Sequence, residues 1–176
     1  MKKIQKAIAT LLIIAAVVFV AGCANNPKTT NTREQAVSSF PTENDIQWMQ
    51  TTYNNSDMFL NFANEINDIS NGKQEMNAQR LLFCAGEVTG WARNAQKQSK
   101  DMEVSSELKE AKAEYAKATG EYATMGDYVN DGVLAVQRGN LEDGKKFLNT
   151  GMEHYNKAVI HYGNYLSVIR KYGVGN

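Results

Sequence analysis

Over 33 residues the chain places an apolar or small residue at alternating steps of four and three. The run is Val104, Leu108, Ala111, Tyr115, Ala118, Tyr122, Met125, Val129, Gly132 and Val136. A heptad seam of this length calls for a long helix packed at about 20° to parallel or antiparallel partners. Gly139 then suits a left-handed C-terminal cap and Asn140 the next N-cap, so a two-residue reversal is expected there. Beyond it Leu141, Leu148, Met152, Tyr155, Val159, Tyr162, Leu166 and Ile169 continue the seam towards a stop near Tyr172-Gly173. Lys145 also falls on this seam, close enough to the hairpin end for its stem to reach out. Two helices, each near 50 Å long at about 1.5 Å per residue, should therefore form an antiparallel hairpin.

Two more helices are expected upstream. Thr42 is a candidate N-cap with Asp45 three residues on, in the manner of a capping box. A helix over 43–70 would carry Ile46, Met49, Tyr53, Phe59, Phe62, Ile66 and Ile69 on its apolar face, and Asn71-Gly72 would end it. A further helix over 74–99 would bury Ala78, Leu81, Ala85, Val88, Ala92 and Ala95, with Leu82, Cys84 and Trp91 widening that face. Its alanines let a neighbour approach closely. They also offer a face for a second copy of the chain. Between Gln98 and Ser106 there is no Gly or Pro, and only Ser105 or Ser106 offers a new N-cap. The expected fold is all-α, an up-down-up-down antiparallel four-helix bundle over 41–174 with long third and fourth helices.

The first residues read differently. Lys2, Lys3 and Lys6 precede a run from Ala7 to Val20 whose only polar member is Thr10. As a helix it would span about 21 Å, short of the ~30 Å hydrocarbon core. Val20-Ala21-Gly22-Cys23 closes it, and the whole resembles the lipobox signal peptide of prokaryotic lipoproteins. That resemblance covers residues 2–23 only. It implies removal of 1–22, a diacylglyceryl group on the Cys23 thiol and anchoring outside the cytoplasmic membrane. In a two-membrane cell, Ala24 would suit sorting to the outer membrane. Residues 23–40, polar and without a period, would be a tether of some 20–25 Å by random-coil scaling. The remaining 154 residues would carry 16 Lys and Arg against 19 Asp and Glu, a net charge of −3. That charge argues against nucleic acid as a partner, which would call for a basic stripe.

Little in the sequence points to catalysis. There is no Gly-rich phosphate loop and no Gly-x-Ser-x-Gly elbow. Glu107, Glu110 and Glu114 alternate with Lys109, Lys112 and Lys117 as helix-surface charge. Cys84 is the only cysteine besides Cys23, and beside Leu82 and Phe83 it reads as a small buried hydrophobe. No cofactor is expected, and the expected role is non-enzymatic binding of an envelope protein or a small ligand. The alternative is a metal- or haem-binding redox bundle using His154 or His161. These two histidines are seven residues apart, about 10.5 Å along a helix, too far to share one zinc ion. Antiparallel pairing about Gly139-Asn140 gathers Tyr115, Tyr122, Tyr155 and Tyr162 at mid-hairpin, beside the histidines. Either their hydroxyls are satisfied within a packed core or they line a pocket for a small ligand.

Overall fold

Glycine determines how closely the last two helices approach. The computed structural model describes residues 40–175. The expected signal segment, Cys23 and residues 24–39 lie outside the described residues. Those described form α1 (Glu43–Ser70), α2 (Ala78–Asp101), α3 (Lys109–Gln137) and α4 (Leu141–Ile169). Short 3-10 turns, Ser106–Leu108 and Arg170–Tyr172, precede α3 and follow α4, and no strand occurs among the described residues. A Cβ on Gly132 would stand 2.7 Å from Leu148 Cγ, and one on Gly144 2.4 Å from Val136 Cγ2. On Gly151 it would meet Val129 Cγ2 at 3.1 Å. A side chain at Gly132 or Gly144 would force its neighbour to shift and one at Gly151 would crowd Val129, and these glycines bring α3 and α4 close. Between them Gly139 takes φ +86, and the Asn140 side chain caps α4 by accepting from the Asp143 N–H at 3.3 Å.

α2 lies almost as close on the other side of α3. A Cβ on Gly126 would be 2.3 Å from Thr89 Oγ1 and 2.6 Å from the Ala85 carbonyl. Leu81, Ala85, Val88, Ala92 and Ala95 are buried as expected. Ala85, Ala92 and Ala95 are thus covered within the chain, while Ala78 is half-buried. α1 is held differently, since it approaches α3 and α4 much less closely than it approaches α2. Trp48, Met49, Phe59, Ala63, Ile66 and Ile69 are buried along it and span the gap with side chains. Its start has the expected capping box. Asp45 Oδ2 accepts the Thr42 N–H at 2.9 Å, and Thr42 Oγ1 accepts the Asp45 N–H at 3.2 Å. Asp45 Oδ1 also accepts the Ser105 N–H at 2.8 Å, tying the α2–α3 connection to the start of α1. Burial would raise the Asp45 carboxyl, but these backbone and hydroxyl donors outweigh it and hold it below the usual range.

Several expectations need correction. α2 begins at Ala78 instead of 74, because the Asn77 side chain caps it by accepting the Arg80 N–H at 3.1 Å. It runs two residues beyond 99, to Asp101. Val104 stays outside α3, which starts at Lys109 after the 3-10 turn. In α4 the buried seam passes through Gly144, Leu148, Gly151, Met152, Ala158, Tyr162, Tyr165 and Ile169. Leu141 and Val159, expected inside, are 47% and 44% exposed. Gly144 takes the inward place assigned to Lys145. In α1 Ile46 is 41% exposed, and the buried place beside it belongs to Trp48. Trp91 on α2 is exposed as well.

Candidate functional site: an aromatic junction and a basic cleft

Tyr115, Tyr122 and Tyr162 are buried and Tyr155 is half-buried. A fifth tyrosine, Tyr165, is buried among them and was not anticipated. Tyr165 joins the group, with its ring 4.9 Å from Tyr115 and 5.4 Å from Tyr162. Tyr122 meets Tyr155 at 6.2 Å and Phe59 at 5.3 Å. Trp48 contributes an edge contact to Tyr115 at 6.4 Å and another to Tyr165 at 5.9 Å. These are the T-shaped and tilted arrangements that the ring quadrupole favours.

Thr52 of α1 meets two of these hydroxyls. Tyr115 donates to the Thr52 carbonyl at 3.1 Å, and the Tyr165 hydroxyl lies 2.7 Å from Thr52 Oγ1. Tyr155 donates to Asn64 Oδ1 at 3.2 Å. Trp48 Nε1 donates to Ser99 Oγ at 3.0 Å, linking α1 to the end of α2. Burial pushes Tyr115, Tyr122 and Tyr165 far above the ordinary phenol value and Tyr162 up to about 12. All of them are neutral phenols at physiological pH. The junction therefore joins three helices through rings and neutral hydroxyls, and Tyr115, Tyr155 and Tyr165 have partners inside the chain.

His154 and His161 sit beside the junction, on the α3–α4 surface. Nδ1 of each faces a carboxylate of α3, His154 with Glu121 and His161 with Glu114 at 2.8 Å. Both pairs repeat at a spacing of seven, so the histidines act as rungs between α3 and α4. Glu114 also accepts from Lys117 Nζ at 2.7 Å and from Asn164 Nδ2 at 2.9 Å. Lys117, then Asn164, then His161 hold this carboxyl down at about 2. A lowered carboxyl stabilises the fold above its unfolded value of about 4.5, and that contribution is lost as pH falls towards 2. Melting between pH 5 and 2 should show Glu114→Gln losing less stability over this window than the native chain. The expected difference is on the order of 5 °C, and equal slopes would refute the role given to Glu114. Among the described residues, no group of three or more His, Cys, Asp or Glu is placed to hold a metal ion. Burial, and then Glu65, push the buried Cys84 thiol up to about 11, so it is protonated and unreactive at neutral pH.

A feature not singled out in the sequence lies between α2 and α3. A cleft of about 740 Å³ is lined by Arg93, Gln96, Lys97, Ser99 and Lys100 on one side. Lys109, Lys112, Ala113 and Ala116 form the other. Within each helix these lysines have ordinary surface spacing. Only the register of α2 on α3 brings the two stripes face to face.

No known family, curated protein or solved structure matches this chain. No helix among the described residues is long and apolar enough to cross a membrane.

Proposed function

We propose that this chain is a lipoprotein whose helical domain is a non-enzymatic binding module outside the cytoplasmic membrane. The anchor is diacylglyceryl at Cys23, and the bound species is an envelope protein or a small ligand. The observation that carries this reading is the order of the first 23 residues. A basic start, an apolar run too short to span and Val20-Ala21-Gly22-Cys23 follow one another without interruption. Two acyl chains, at about 0.8 kcal/mol per buried CH₂, give lasting attachment without a spanning helix. The helical domain begins only at Glu43, which leaves a polar stretch between anchor and body.

The domain is read as an up-down-up-down antiparallel bundle. Supporting pairs run in opposite order along successive helices: Asn55–Gln98 then Glu65–Arg80, Thr89–Ala123 then Gln96–Ala116, and Glu114–His161 then Glu121–His154. The aromatic hydroxyls that meet Thr52 and Asn64 are committed within the fold, which favours recognition on the surface over chemistry in the core.

Mass spectrometry of the membrane fraction tests the anchor. The mature N-terminus should be Cys23 carrying the diacylglyceryl mass, and Cys23→Ser should abolish that mass and leave residues 1–22 attached. A free Cys23 thiol in a chain cleaved elsewhere would refute the anchor. The absorbance spectrum and metal content of the same preparation decide the alternative of a redox or metal site at His154 or His161.

A further inference from the structure

We propose that the cleft between α2 and α3 binds a phosphate-bearing anion through Lys97, Lys100 and Lys109. Five of its nine lining residues are cationic, and none of the described ones is acidic. This is not the chain's average, because residues 40–175 carry 14 Lys and Arg against 18 Asp and Glu. A concave surface lined by one sign of charge focuses its field and raises the local concentration of counter-ions.

Two of the cations are already committed. Arg93 Nη2 meets Asp127 Oδ2 at 2.6 Å. Lys112 Nζ donates to the Lys100 carbonyl at 3.0 Å and to the Met102 carbonyl. These carbonyls belong to the C-terminal end of α2, whose partial negative charge would otherwise repel an anion. Lys112 therefore covers these carbonyls, as Arg93 covers the Asp127 carboxylate. Across the floor, Gln96 Nε2 donates to the Ala116 carbonyl at 2.9 Å and holds the two helices in register. Lys97, Lys100 and Lys109 have no side-chain hydrogen bond or ion pair among the described residues. Three uncommitted ammonium groups around one hollow favour an anion carrying two or more charges. Lysine binds phosphate well as a point charge. The volume suits a small ligand better than a bare ion, and Ala113 and Ala116 leave an apolar floor for its uncharged part.

Phosphate could come from a soluble phosphorylated molecule or from a phospholipid headgroup. The cleft lies beside the α2–α3 connection, which the Ser105–Asp45 bond ties to the end where α1 begins. If residues 23–40 tether the domain as proposed, that end faces the membrane. The inference rests on the binding-module reading but not on the lipid anchor.

The test uses the full-length chain in non-ionic detergent, titrated calorimetrically with pyrophosphate. One variant is Lys97→Gln with Lys100→Gln and Lys109→Gln. Its charge-matched control is Lys145→Gln with Lys146→Gln and Lys157→Gln on α4. A second arm sediments the Cys23→Ser chain, with and without each triple substitution, on phosphatidylglycerol or phosphatidylcholine vesicles. Saturable pyrophosphate binding, weakened about tenfold or more by the cleft substitutions alone, supports a soluble source. Phosphatidylglycerol-dependent sedimentation, lost only with the cleft substitutions, supports the headgroup. Binding of neither probe, or equal losses in both triple variants, overturns the proposal. Because the Cys23→Ser chain keeps the cleft, failure of the anchor leaves this result readable.

Discussion

Trp48→Ala should cost about 4 kcal/mol of folding stability, the largest loss expected from any single side chain here. Trp48 is fully buried at the point where α1 meets α2, α3 and α4. Its removal takes away the indole's burial and its edge contacts with Tyr115 and Tyr165. It also leaves Ser99 Oγ without its donor. α1 cannot close the resulting void by moving inward, because the rings of Tyr115 and Tyr165 already fill the space between the helices. Ser99→Ala is the milder control, expected to cost about 1 kcal/mol through the unpaired indole N–H. Urea unfolding followed by circular dichroism should show both losses at an unchanged m-value. A loss below about 1.5 kcal/mol for Trp48→Ala would mean that α1 is not held by the aromatic junction.

Gly126→Ala should destabilise by about 2–3 kcal/mol, although alanine is the better helix former by about 1 kcal/mol. The added methyl would meet Thr89 Oγ1 and the Ala85 carbonyl, and a backbone carbonyl cannot rotate aside. Relief requires α2 to move away from α3, which loosens every contact between them. Gly90→Ala makes the opposite case on the outer side of α2. Nothing lies within 4 Å of its added Cβ, so the helix-propensity gain of about 0.5–1 kcal/mol should appear undiminished. Thermal melts of the two variants should move in opposite directions by several degrees. A Gly126→Ala protein as stable as the native one would refute the close approach.

The helices were legible where the seam is unambiguous. From Leu108, in the turn before α3, to Val136 every seam residue is buried. The reversal at Gly139-Asn140 and the capping box at Thr42 needed only local chemistry. α4 was harder, because each inward residue has an apolar neighbour that fits the same spacing. Ala158 stands beside Val159, and Tyr165 beside Leu166. Hydrophobicity favours the larger residue of the first pair, whereas the structure buries the smaller. Choosing Leu166 in the second pair hid Tyr165 and with it the centre of the aromatic junction. Tyr122 does lie beside Tyr155, while Tyr115 and Tyr162 meet through the ring of Tyr165. That Thr52 of α1 would meet two of the ring hydroxyls was not legible, since no local rule fixes the depth of α1. The basic cleft was hidden for a related reason. Lys97 and Lys100 become partners of Lys109 only once two helices are set side by side.

The bond between Thr52 and Tyr165 joins residues 113 apart in the chain. Closing so long a loop from free chain would carry a large entropic cost. Here the chain need not search that distance, because its connections are short. Seven residues separate α1 from α2, seven separate α2 from α3, and three separate α3 from α4. Each closure lets a helix pack on its immediate predecessor. By the time Tyr165 reaches Thr52, the intervening helices have already brought their surroundings together. The distant pair is then a latch on a structure assembled from local steps, which places this chain among topologies that fold rapidly.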